Sequence, residues 1–149
     1  MPECRKTVTK LWIVACCLLI AATLASCGSM GSGGSKGKEG LATSVETFNR
    51  SFKWEDYNAA AIFIGFGQKE QFWRDVDRFK GKIRITDFQI REIDHVEKST
   101  TGTAILCMQY YSTSSPTLES VTFSQSWYFS EKDKGWLVKD PGFQAIPKK

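Results

Sequence analysis

The chain has 149 residues, of which 42% are hydrophobic and 24% charged, proportions that fit one globular domain of modest size. The formal charge of +4 falls to +2 once Arg5, Lys6, Lys10 and Glu3 are set aside with the first 26 residues, and no dense basic run remains. Without a basic stripe there is no electrostatic footprint for nucleic acid, so that class of partner is excluded. Aromatic residues make up 13%, and each ring that is buried removes about 150–250 Å² from water, which helps a small core close.

In chain order, Arg5, Lys6 and Lys10 form a basic start, and Leu11 to Leu24 is an apolar run interrupted only by Thr23. Such a run suits the hydrophobic region of a secretory signal and is short of the roughly 20 residues a spanning helix needs. The run ends Leu24-Ala25-Ser26-Cys27-Gly28. These residues resemble the lipobox of bacterial lipoproteins. The resemblance implies cleavage before Cys27, diacylglycerol on its sulfur and acylation of its new amino group, so that residues 1–26 are a signal peptide and the membrane is reached through lipid on Cys27. Ordinary secretion with cleavage after Ala25, using Thr23 and Ala25 as the small residues, is the alternative. Gly28 stands where lipoproteins held at an inner membrane usually carry Asp, which implies the outer membrane, facing the periplasm, in a two-membrane host.

Residues 27–40 hold the lipidated cysteine and a Gly/Ser-rich linker, GSMGSGGSKGKEG, with an expected reach of about 20 Å. A domain is expected over 41–149. Leu41, Val45, Phe48 and Phe52 fall on one helical face. Trp54 to Phe66 and Gln68 to Lys80 are expected as a second and third helix. After Gly81 the period becomes two, giving strands over Ile83–Val96, Thr103–Ser112, Leu118–Ser130 and Trp136–Lys139. A parity switch between Ile85 and Phe88 predicts a bulge at Thr86-Asp87, and Asp133-Lys134-Gly135 predicts a hairpin turn.

Helices followed by an antiparallel meander make an α+β plan. The order resembles the nuclear transport factor 2-like superfamily, the cystatin-like cone. The residues that carry the likeness are Trp54-Glu55-Asp56-Tyr57, Ala59-Ala60-Ala61, Ile85-Thr86-Asp87-Phe88-Gln89-Ile90, and the closing pair Gln125-Ser126-Trp127-Tyr128-Phe129 with Lys134-Gly135-Trp136-Leu137-Val138. The resemblance implies N-terminal helices on a curved sheet of about four strands, around a cavity that Tyr57, Tyr110, Gln125 and Trp127 would line. Tyr and Trp also close small cores while keeping a polar tip wet, and that is the favoured role for these rings.

No catalytic set stands out. The single histidine, His95, sits beside Asp94 on the opposite face of a strand and near a charged edge, where a surface role is expected. Asp56 suits a helix start better than a general base. No spaced ligand cluster for a metal and no Gly-rich phosphate loop after a strand is present, so no cofactor is expected. Cys107 lies in an apolar run and is expected to be a buried small hydrophobe. The expected function is a non-enzymatic, membrane-tethered ligand-binding or envelope-assembly module, taking a small apolar ligand or an envelope protein. The Ser/Thr face of Leu118–Ser130 is its candidate docking surface, and the sheet a route to a homodimer. The alternative is an enzyme on a small hydrophobic envelope metabolite with His95 or Asp56 as base.

Overall fold

The computed structural model describes residues 35–146. The lipobox residues Leu24, Ala25, Ser26 and Cys27 lie outside the described residues, as do the signal peptide and most of the linker.

The first helix, α1, is Lys38–Lys53, with Glu39 in its first turn and Arg50 and Lys53 in its last, where each complements the helix dipole. Its inward stripe is the expected Leu41, Val45, Phe48 and Phe52, each at most 2% exposed. The helix begins three residues before Leu41, inside the stretch expected to be linker, and Gly40 is already buried. It ends in a Schellman turn, with Asp56 N donating to Ser51 O and Glu55 N to Phe52 O. Glu55 takes the left-handed position, φ 59°, usually filled by glycine.

That turn corrects the expected helix over Trp54–Phe66. Only Tyr57–Ala61 is helical (α2), opened by Asp56, whose Oδ1 accepts from Ala59 N at 3.0 Å. The chain then extends, so that Phe63 O accepts from Val138 N at 2.8 Å and Ile64 makes a parallel bridge with Val138. A single 3₁₀ turn, Phe66–Gln68, leads into α3, Lys69–Phe79, which buries Phe72, Val76 and Phe79. Gly81, at φ 74°, turns the chain toward the sheet.

The sheet is a four-stranded antiparallel meander in the order β1-β2-β3-β4, formed by Ile83–Asp94, Thr101–Ser112, Ser115–Ser130 and Gly135–Asp140. The chain is therefore α+β, helices first and an open antiparallel sheet after them. Strand β1 carries two register shifts, at the expected position between Ile85 and Asp87 and again between Ile90 and Glu92. Each inserts one residue and returns the next apolar side chain to the helix side. Ile85, Phe88, Ile90 and Ile93 thereby stand opposite Tyr110, Met108, Leu106 and Ala104.

The core lies between this inner face and the helices. Phe48 is its centre, with the rings of Phe52, Phe63, Phe72, Trp127 and Phe143 at centroid distances of 5.7–6.5 Å. A final 3₁₀ turn, Phe143–Ala145, brings Phe143 and Ile146 into this cluster, a closing piece with no periodicity to announce it.

Candidate functional site

The four residues expected to line a cavity do not converge. Tyr110 and Gln125 both face the helices, but they pair with Glu119 and Ala104 respectively. Six residues of β3 therefore separate their rungs, about 20 Å. Tyr57 is half-buried and packs edge-on against Phe52 at 5.3 Å. Trp127 is 1% exposed, perpendicular to Phe48 with centroids 5.7 Å apart. Its indole N–H has no hydrogen-bond acceptor among the described residues.

Gln125 is fully buried and joined to Asn49 of α1 through both halves of its amide. Asn49 Nδ2 donates to Gln125 Oε1 at 3.1 Å, Gln125 Nε2 donates to Asn49 Oδ1 at 3.0 Å, and Asn49 Nδ2 also donates to Val45 O. The Tyr110 hydroxyl donates to Glu119 Oε2 at 3.1 Å. Burial pushes its pKa up, and the Glu119 carboxylate adds to this by accepting the bond and repelling the phenolate. Burial also raises Tyr57, reinforced by Glu55 and opposed by Arg84.

His95 is half-buried. Its Nε2 donates to Ser99 O at 3.2 Å, and its ring stands edge-on to Trp136 at 5.3 Å, so it ties the β1–β2 connection to the core. It also borders a shallow concavity of about 330 Å³ with Lys36, Gly37, Lys38, Glu97 and Lys98. A second concavity, about 430 Å³, is framed by Gly65, Phe66, Gly67, Gln68, Thr101, Tyr128 and Lys139. Among the described residues, no group of three His, Cys, Asp or Glu side chains is placed to hold a metal ion, and no helix is long and apolar enough to cross a membrane.

The outer face of the sheet carries no helix among the described residues. On β3 it presents Ser120, Thr122 and Ser124 as exposed side chains. Opposite them on β2 stand Gln109, Cys107 and Ile105. The expectation that Cys107 is buried is corrected here. It points away from the core and is partly exposed, with Sγ 3.3 Å from Ser120 Oγ. Its thiol is held below the usual range, first by the Ser120 hydrogen bond, which desolvation opposes, and then by Arg91 and Thr122. Arg91 is the residue of the second β1 bulge, which sequence reading missed although the odd spacing of Ile90 and Ile93 marks it.

No protein-family model, no curated protein and no solved structure matches the chain.

Proposed function

We propose that the protein is a lipid-anchored component of the bacterial cell envelope, and that its α+β domain is a non-enzymatic binding or assembly module of the nuclear transport factor 2-like kind. The anchor is read from Leu24-Ala25-Ser26-Cys27 behind a basic start and an apolar run. Helices before a four-stranded meander, with bulges that curve its first strand, support the fold assignment.

The observation that carries the module reading is how the polar side chains divide. Inside, they are spent on one another, Asn49 on Gln125 and Tyr110 on Glu119, while half-buried His95 is bonded to the Ser99 carbonyl. Outside, β3 offers a regular row of exposed hydroxyls, Ser120, Thr122 and Ser124, beside Ile105 and Cys107, a surface suited to docking. The enzymatic alternative needs His95 or Asp56 as a base, and Asp56 is engaged as a helix cap.

Two measurements test this. Cys27→Ser should abolish lipid labelling and leave the precursor uncleaved; normal cleavage of that variant would favour ordinary secretion. A photo-crosslinking residue at position 122, on the outer face, should give one defined adduct that Ile105→Arg removes, while the same group at Asp77 on exposed α3 gives none. Equal labelling from both positions counts against a docking role for the sheet.

A further inference from the structure

Resting on the anchor reading above, we infer that the end of the sheet bearing Phe66 and Val96 is a contact surface for the lipid bilayer, with Phe66 seated in the interfacial region. Phe66 is 95% exposed on a tip between Gly65 and Gly67, and Val96 is 70% exposed in the β1–β2 connection. Neither side chain belongs to the core. An exposed aromatic ring of this kind gains by entering a lipid interface.

Both residues lie at the end where the chain enters the domain. Ser35 O accepts from Trp136 Nε1 at 3.1 Å, and Lys36 pairs with Glu131 at the β3–β4 turn. Trp136 is adjacent in β4 to Leu137, which pairs with Tyr128; Tyr128 pairs in turn with Thr101 on β2. Tyr128 and Thr101 frame the concavity that Phe66 borders, and the β1–β2 connection holding Val96 runs into Thr101.

The covalent path from Cys27 to Ser35 is eight residue steps, which reach at most about 28 Å even when straight. Lipid on Cys27 therefore keeps this end of the domain beside the headgroups at high effective concentration, where a single ring and one aliphatic side chain suffice to hold an orientation. Lys38, Lys98, Lys132 and Lys134 at this end are nearly offset by Glu39, Glu97 and Asp133. The attraction is consequently apolar, and it needs no anionic lipid. The exposed Leu118 lies at the far end of β3, twelve residues and about 40 Å from Ser130. Trp54 is near the same far end, since its neighbour Glu55 pairs with Arg84, on the rung of Tyr111 and Leu118.

The test uses the mature lipidated protein and its Phe66→Trp variant in vesicles of phosphatidylcholine, with and without acyl chains brominated near the headgroup. Flotation with the vesicles reports the anchor, and tryptophan emission reports the contact. The variant is expected to float and to gain emission that brominated lipid quenches, while the parent emission, which includes exposed Trp54, is quenched much less. A floating variant whose added emission is not quenched overturns the contact and leaves the anchor standing. Equal quenching of the parent overturns it too, because the far end would then be at the lipid. Failure to float overturns both.

Discussion

The side-chain amides of Asn49 and Gln125, 76 residues apart, bond each other reciprocally at 3.1 and 3.0 Å in the middle of an apolar core. The pair joins α1 to the centre of β3, and it has one good geometry. A slip of either element by one residue would break both bonds between the two buried amides and leave Asn49 only its bond to Val45 O within the helix. The pair therefore fixes how the helix sits on the sheet, a task that greasy contacts alone perform with less discrimination.

Its energetics should be asymmetric. Asn49→Leu or Gln125→Leu alone leaves the other amide short of partners inside the core and is expected to cost about 1–3 kcal/mol. The double variant removes both and should cost less than the sum of the singles. Urea unfolding of the four proteins measures this coupling. Additive losses would show that the two amides do not act as a unit.

Gly81 and Gly142 have nearly the same backbone, φ 74° and 72°, but different surroundings. A Cβ on Gly81 meets nothing within 4 Å, whereas one on Gly142 would stand 2.5 Å from Ser124 O and 2.6 Å from the Phe123 ring. Gly81→Ala should cost about 1 kcal/mol, the strain of the left-handed conformation alone. Gly142→Ala adds a clash with backbone and should cost clearly more, displacing the turn that carries Phe143. Thermal denaturation of the two variants separates strain from collision.

Cys107 should ionise at lower pH than an ordinary thiol, because Ser120 first, and then Arg91 and Thr122, favour its thiolate. Iodoacetamide labelling of the Cys107 peptide, followed against pH, is expected to have its midpoint below that of the urea-unfolded chain. Ser120→Ala should move the midpoint upward. An unchanged midpoint in that variant would remove Ser120 from the explanation.

Tyr110 should ionise late, since burial and Glu119 both favour the neutral phenol in the folded protein. A group whose folded pKa is raised contributes its full stability below the unfolded value, about 10 for tyrosine. That contribution is lost as pH rises through the folded value, because the unfolded chain then binds fewer protons. The stability of Tyr110→Phe should therefore fall less steeply than that of the parent above pH about 10. Absorbance of phenolate during alkaline titration should lose one late step in the same variant.

How far residues alone lead to this fold depends on how local the deciding interaction is. The stripe Leu41, Val45, Phe48, Phe52 and the parity break before Phe88 are repeating patterns within one element, and both correspond to what the structure contains. The stretch Trp54–Phe66 misleads because Ala59, Ala60 and Ala61 favour helix, while the Schellman turn that stops α1 places Glu55, not glycine, at its left-handed position. Cys107 misleads for another reason. Strand β2 has apolar residues on both parities, so Leu106 and Met108 compete with Ile105 and Cys107 for the inner face until the helices choose between them. The Asn49–Gln125 pair leaves no trace in either local sequence. Of the four residues expected around a cavity, three are among the most buried side chains of the domain, a role their amphipathic character equally allows.

The bridge between Ile64 and Val138 covers part of the outer edge of β4. A sheet ends in rows of unpaired peptide groups that invite another strand. On the β4 side, Phe63 takes the Val138 amide and the Gln68 side chain takes the Lys139 carbonyl, so the rail there is partly filled by the chain itself. On the β1 side, the two inserted residues break the regular spacing that an incoming strand would have to match. Both edges of the domain thus resist growing, strand by strand, into a continuous sheet with further copies.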